Sequence, residues 1–484
     1  MRGESLWTQH KIHCGFATFQ PRLGLLSNSI KNWRPVKIIS SVLSLFICTL
    51  SAHAGDFEYR GYMRTPTGSN AEGGKQIQIV NPGSEGNEFR LGNEVAYGEA
   101  YFTEQFLKRA QPTDAFFNAN LTFGYAPSMN SQYSDTTTTG DFIQILEAYA
   151  KGGNLDDLKM SFWAGKRFYR DVDVHMDDFF YFANMSGDGG GVEDIPVGNG
   201  TLAVAVLQYT DDRTLTKTTS GNPAKHAIDV RWTDIVLSDN NHLHLWAAAA
   251  YTGPGTGTAT TITPPATVGA LINYQASNGE AIGARWRHKM IQGDNDFAVM
   301  YGTGVMESLT LDSTAIAADD SVKNRKRLRI VENYSKEISD RWAIEAAAVY
   351  EAADSGMSTN SKSNWTSIGA RPMYYISEHF RIQAEAGYSI VNNQAEVDMH
   401  GNGFGQRTLE RLTISPEVAF GKGYYARPVV RFYVTATHWN DANKNPNNSG
   451  SLIGTLNGQS TDPIYSLNNK NDEMQTGFEA EVWF

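Results

Sequence analysis

An all-β chain closed as a transmembrane antiparallel barrel is the fold class the sequence predicts, on three observations. Apolar and polar residues alternate with period two from Asp56 onward, as strands with two unlike faces do. Connections alternate between tight ones, such as Ile376-Ser377-Glu378-His379, and long Gly/Asn/Ser/Thr stretches, such as 440–472. Aromatics gather at strand ends (Tyr125, Tyr350, Tyr388, Phe420), where a belt at the membrane–water interface places them. Alternation alone also fits a soluble sandwich. The loop asymmetry and the aromatic ends favour the barrel.

The individual strands carry the pattern. In the first, Phe57, Tyr59 and Met63 alternate with Glu58, Arg60, Tyr62 and Arg64. Phe117, Ala119, Leu121, Phe123 and Tyr125 lie opposite Asn118, Asn120 and Thr122. Trp342, Ile344, Ala346, Ala348 and Tyr350 repeat it. Phe380, Ile382, Ala384, Ala386 and Tyr388 oppose Arg381, Gln383 and Glu385, and Leu412, Ile414, Pro416, Val418 and Phe420 oppose Arg411, Thr413, Ser415 and Glu417. The last strand sets Phe478, Ala480, Val482 and Phe484 against Glu479, Glu481 and Trp483.

Composition narrows the class. The mean hydropathy is −0.39 over 484 residues. Past the N-terminal region no apolar run reaches the roughly eighteen residues of a helical span. A barrel evades that test because lipid meets only every second residue.

The N-terminus reads as an extension followed by an export signal. Lys31, Arg34 and Lys37 precede the apolar run 38–50, and Ala52-His53-Ala54 supplies a small-x-small cleavage site. Residues 1–54 are therefore expected to be removed, leaving 55–484 as one barrel domain, with no boundary or repeat inside it. Both cysteines, Cys14 and Cys48, lie in the removed piece, which excludes cysteine chemistry and disulfides from the mature chain. That piece also holds six of the 41 basic and one of the 52 acidic residues, so the mature charge is −16. Nucleic acid is a poor partner for such a surface.

Two segments carry a specific resemblance. Phe162-Trp163-Ala164-Gly165-Lys166-Arg167-Phe168-Tyr169, with Asp173-Val174-His175-Met176 and Asp178-Phe179, is similar to the strand and inward-folded third loop of the maltoporin family. Phe89-Arg90-Leu91-Gly92-Asn93-Glu94 resembles its second strand, and Gly369-Ala370-Arg371-Pro372-Met373-Tyr374 and the closing strand also fit. A C-terminal Phe on an alternating strand resembles the recognition signal of outer-membrane barrels. The resemblance spans about the whole mature chain.

It implies an eighteen-stranded barrel in the bacterial outer membrane, assembled as a homotrimer in the lipid bilayer with one pore per chain. About 24 residues per strand suits that number. The implied function is facilitated diffusion of maltose, maltodextrins or a related oligosaccharide, with no catalysis, cofactor or metal. In this family, sugar rings stack on a file of aromatics while charged residues beside it exchange bonds with their hydroxyls. Tyr62, Tyr97, Trp365 and Trp483 match that file. Tyr62 and Trp483 share faces with charged residues, as lumenal positions should. Tyr97 lacks one preceding residue and so requires a bulge, and a slip of one at Trp365 turns it to lipid.

Arg64, Arg90, Glu99, Asp173 and Asp178 match positions that hold hydroxyls or line the constriction. Five departures accompany them. Asp171 stands where the family has a constriction arginine, with Arg170 adjacent as a substitute. Phe180 replaces a tyrosine that narrows the pore, and Leu146 an arginine. Ile282 replaces a slide aromatic, unless Trp286 takes its place through a shifted register. The tryptophan that a neighbouring subunit lends to the channel mouth in this family is missing, with only Tyr133 to stand in for it.

Some of the same residues also fit other chemistry. Asp171, Asp173, His175, Asp177 and Asp178 are also a hard-ligand set for Ca²⁺ or Mn²⁺, although charged rings are ordinary in pores. Gly187-Asp188-Gly189-Gly190-Gly191 lacks the Lys and helix of a phosphate cradle and reads as a tight turn of the inward loop. A general diffusion porin for small hydrophilic solutes and ions shares the barrel without the aromatic file. An outer-membrane hydrolase needs a Ser/His/acid set that is not legible, and a glycosidase needs a carboxylate pair at defined separation.

Overall fold

The computed structural model describes residues 56–126, 142–156, 158–210, 215–216, 224–259, 271–311, 320–394, 403, 405–444 and 470–484. Gly55–Phe484 forms one compact unit. Its strands are β1 (Asp56–Asn70), β2 (Tyr97–Leu107), β3 (Phe116–Ala126), β4 (Phe142–Gly153), β5 (Ser161–Arg167), β6 (Gly187–Val197), β7 (Gly200–Thr210), β8 (Ala224–Ser238) and β9 (Asn241–Thr252). They continue as β10 (Ser277–Met290), β11 (Gly293–Thr303), β12 (Lys326–Ser339), β13 (Trp342–Asp354), β14 (Lys362–Tyr375), β15 (Phe380–Asn393), β16 (Arg407–Ala419), β17 (Val429–Trp439) and β18 (Asp472–Trp483). All eighteen join in one sheet. It closes because β1 pairs antiparallel with β2 on one side and with β18 on the other, Tyr62 standing opposite Trp483.

The faces decide between sandwich and barrel. Arg411, Thr413, Ser415 and Glu417 are buried inside, while Leu412, Ile414 and Val418 are exposed outside. Arg381, Gln383 and Glu385 are likewise inside, with Phe380, Ile382 and Tyr388 outside. A protein surrounded by water has the opposite arrangement. An exposed apolar band around a charged interior is stable only where the outer medium is hydrocarbon. The aromatics at strand ends, Tyr125, Tyr350, Tyr388 and Phe420, all sit on this outer face.

One rim carries tight connections, two residues long at 198–199, 239–240, 291–292 and 340–341, and the expected turn at 376–379. Long segments leave the other rim. Two pieces of the β9–β10 connection, Gly255–Ala259 and Leu271–Tyr274, join Leu215–Thr216 of the β7–β8 connection in a separate three-stranded sheet. The stretch expected as a long loop at 440–472 connects β17 to β18, and most of it lies outside the described residues.

Two long connections, 71–96 and 168–186, turn into the lumen. Here the expectation for 89–94 needs correcting. That stretch is not the second strand but part of the first inward loop, and the second strand begins at Tyr97. Residues 88–94 are buried throughout, so no lipid face exists for alternation to serve. Phe89 and Gly92 have positive φ (54° and 66°), which breaks any strand there. The segment imitates a strand through a side chain: Asn93 accepts from the Ile79 amide at 2.8 Å and donates to its carbonyl at 2.9 Å.

Wall residues hold this loop. Arg411 donates to the carbonyls of Glu88 (2.6 Å) and Phe89 (3.1 Å). Thr413 donates to the Leu91 carbonyl at 3.0 Å, and the Leu91 amide donates to Glu385 at 3.0 Å. The loop in turn braces the second one, through Asn87 to the Asp177 carbonyl (2.7 Å) and Arg90 to the Met176 carbonyl (3.0 Å).

Phe89 lies flat over Gly387, where a Cβ would approach its ring to 2.2 Å. Gly387→Ala is therefore expected to displace Phe89, costing about 1–3 kcal/mol as overpacked cores do. The variant should show a lower denaturant midpoint and a larger single-channel conductance. Wild-type values for both would mean that the ring has room to move.

The glycine run at 187–191 is also corrected. It lies within β6, not in a turn, and none of its glycines has positive φ. Instead the glycines make room: a Cβ on Gly191 would meet Trp163 at 2.9 Å, and one on Gly187 would meet Leu311 at 2.6 Å.

Candidate functional site

The site forms where β1, β2 and β18 face the two inward loops. Tyr62 lies on the lumenal face of β1 at the closing seam, with Tyr97 and Trp483 on the neighbouring strands. The Tyr62 ring centroid stands 6.3 Å from that of Tyr97 and 6.3 Å from that of Trp483, stacked on the latter at 27°. Three of the four expected slide aromatics thus form one file. The bulge expected before Tyr97 is absent: Arg64 pairs directly with Tyr97 in an unbroken β1–β2 register. The missing residue is absorbed by the preceding loop, whose length no ladder fixes.

Trp365 has lumenal parity but is not part of the file. It is 2 % exposed, its indole donates to Glu88 at 2.8 Å, and Tyr181 covers it at 6.2 Å. The first inward loop buries it as an anchor. Ile282 and Trp286 both point outward, 61 % and 37 % exposed, so neither register puts an aromatic into the pore there. Leu146 is extruded by a bulge in β4 and lies over Gly124. Tyr133 lies outside the described residues.

The polar groups converge on the file. Arg64 pairs with Asp178 at 2.6 Å and donates to the Val95 carbonyl at 3.1 Å. Arg90 comes from the first inward loop. It pairs with Glu94, donates to the Tyr62 hydroxyl at 2.9 Å and to Glu481 at 3.0 Å, and lies 3.7 Å from Asp178. The Tyr62 hydroxyl donates onward to Glu481 at 3.1 Å. Tyr97 donates to Glu99. Edges of the aromatic file are thus flanked by both donors and acceptors in charged form, the stronger class of hydrogen-bonding group.

Sequence reasoning missed three members. Glu481 also accepts from Arg427 (2.7 Å) and Arg431 (2.8 Å). Arg427 lies 4.6 Å above the Trp483 ring, and His175 meets that ring edge-on at 6.4 Å. Parity puts Glu481 on the lumenal face without marking it as a site residue, and nothing local in the sequence brings Arg427 to it.

On the second inward loop, Arg170 is held between Phe168 and Phe180, 3.9 and 3.8 Å from their ring centroids. This explains the departure at Phe180: a ring face serves the guanidinium, and a hydroxyl is not required. Asp171 occupies the position of the expected arginine and pairs with Arg285 of β10 at 2.7 Å, so the cation comes from the wall. Asp173 keeps 35 % of its side chain open. Burial of the loop, reinforced by the Asp178 carboxylate, pushes its pKa up to about 7. His175 is driven well below its usual range by burial, with the Arg90 charge adding to it. Among the described residues no group of three or more His, Cys, Asp or Glu is arranged to hold a metal.

A closed barrel with an apolar outer band, a charged lumen and loops folded into it defines an outer-membrane channel, placed in the bacterial outer membrane. The sequence profile of the LamB porin family matches residues 57–484, and the chain belongs to that family. Porins of this fold are channels and not enzymes. Among solved structures the chain is similar to Acinetobacter baumannii OccAB4, at 10 % identity over 89 % of this chain and 98 % of that one, with a TM-score of 0.43. OprD from Pseudomonas aeruginosa matches at 9 % identity over 89 % and 94 %, TM-score 0.43. Vibrio cholerae OmpT, solved in a trimer form, matches at 9 % over 89 % and 100 %, TM-score 0.35.

Proposed function

We propose that this porin is sugar-selective and carries maltose, short maltodextrins or a related oligosaccharide by facilitated diffusion. The observation that carries the reading is the aromatic file Tyr97–Tyr62–Trp483 with charged groups along its edge. A sugar ring lays its apolar face on such rings, while Arg64, Arg90, Glu99, Asp173 and Asp178 exchange hydrogen bonds with its hydroxyls. Each step must bind weakly, because a tight site stops flux. With Trp365 occupied as an anchor, the file is three rings long, which favours short chains. Arg170, held flat by Phe168 and Phe180, offers its edge to a pair of hydroxyls.

Single-channel current titrated with maltotriose, sucrose and cellobiose tests this. Saturable block by one of them is the expected result, and conductance steps that no sugar blocks would favour a general diffusion porin. The proposal includes a homotrimer, to be read from cross-linking in detergent, and a mature chain starting at Gly55, to be read from its intact mass.

Asp171, Asp173 and Asp178 on the second inward loop, each half-buried with part of its carboxylate side chain open, favour cations in the pore. A raised pKa means that Asp173 gains its negative charge as pH rises through about 7, so the cation-to-anion permeability ratio should rise from pH 6 to pH 8. His175, held neutral by burial and Arg90, adds nothing in that window. Asp173→Asn should flatten the rise, measured as reversal potential in a salt gradient. An unaltered slope in that variant would assign the titration elsewhere.

A further inference from the structure

The connection between β16 and β17, residues 420–428, lies on the rim of tight turns yet folds back into the lumen. Four bonds strap it there. Arg381 donates to the Gly423 carbonyl at 2.8 Å. The Tyr424 amide donates to Glu337 at 2.7 Å and its hydroxyl to Glu345 at 2.6 Å, on β12 and β13. Arg427 binds Glu481 at 2.7 Å. The strap thus reaches from the β16–β17 wall across to β12 and β13.

Between the anchored Tyr424 and Arg427 stands Tyr425. Tyr424 is buried, but Tyr425 is 42 % exposed. Its ring meets His175 edge-on at 5.7 Å and Tyr424 at 4.9 Å, and its hydroxyl reaches toward Ser335 on the lumenal face of β12. His175 in turn touches Trp483, the last ring of the file. Ring by ring, the order from the outer rim is Tyr97, Tyr62, Trp483 and then, across His175, Tyr425. The wall adds no ring at Ile282 or Trp286, which both face outward.

We propose that Tyr425 is the exit-side stacking residue of the sugar path, a specificity-determining position supplied by an inward-folded turn and not by a barrel strand. An aromatic whose chain neighbours are both fixed presents its face at little entropic cost. A sugar ring leaving Trp483 meets the open Tyr425 face before it reaches the rim. This inference rests on the sugar-channel reading above.

The test is current block by maltotriose in the full-length mature channel, comparing wild type with Tyr425→Ala, Tyr425→Leu and Tyr425→Phe. Loss of the ring in the Ala and Leu variants should weaken block three- to tenfold through faster dissociation, while the Phe variant stays within twofold of wild type. Leucine keeps the volume, so a loss shared by Ala and Leu reports the aromatic face and not a cavity. Wild-type block in the Ala and Leu variants overturns the assignment, and so does a Phe variant as weak as Ala, which would make the hydroxyl a strut for the strap. A wild-type channel that no sugar blocks overturns the sugar path itself, and Tyr425's role with it.

Discussion

Glu481→Ala is expected to be the most damaging single substitution in the lumen. That carboxylate accepts from Arg90, Arg427, Arg431 and Tyr62 at 2.7–3.1 Å, and its side chain is fully enclosed. Removing it leaves three guanidinium groups facing one another with no shared counter-charge. Breaking a buried pair by deleting one partner costs about 3–5 kcal/mol, because the remaining charge stays desolvated. Arg431 retains Glu417 and Glu479, whereas Arg427 has Glu481 as its only acidic partner among the described ion pairs. We therefore expect Arg427 to leave the Trp483 face and the strap at 420–428 to loosen. The readouts are the denaturant midpoint of the detergent-folded barrel and the current noise of single channels. A midpoint within experimental error of wild type would mean that water replaces the carboxylate, and that the hub is not structural.

Tyr62→Ala should have the largest effect on transport. The ring occupies the middle of the file, 6.3 Å from each neighbour, so its loss splits the path in two. A sugar face of roughly 50 Å² at about 25 cal/mol per Å² corresponds to about 1.3 kcal/mol, or close to tenfold in affinity. Maltotriose block should weaken by that factor while ion current stays equal or grows. Tyr62→Phe keeps the ring and removes the bridge between Arg90 and Glu481, so its block should fall much less. Unchanged sugar affinity in the Ala variant would sink the stacking role of this residue.

How the site was legible differs residue by residue. Tyr62 and Trp483 were readable because strand parity is strict: each sits on the same face as neighbouring carboxylates or guanidinium groups, and that face must be lumenal. Trp365 was readable in facing but not in role, since parity says which side a ring takes and not whether a loop covers it. The six residues 89–94 around Arg90 have the composition of a strand, yet Phe89 and Gly92 adopt positive φ. Only packing against Gly387 and bonds from Arg411 fix that conformation. Arg285 and Arg427 were not legible at all, since their partners Asp171 and Glu481 lie 114 and 54 residues away in the chain.

By itself the sequence determined the class of fold, the inward and outward faces of its clearly alternating strands and the membrane around them. Those properties follow from period-two alternation, which depends on the nearest neighbours of each residue. The tertiary structure alone decided what fills the barrel: which loops turn inward, which aromatics remain open to the pore, and which arginine answers which acid. Loops have no ladder to fix their register. Their conformations are set by contacts between residues far apart in the chain, and those contacts exist only once the barrel has closed.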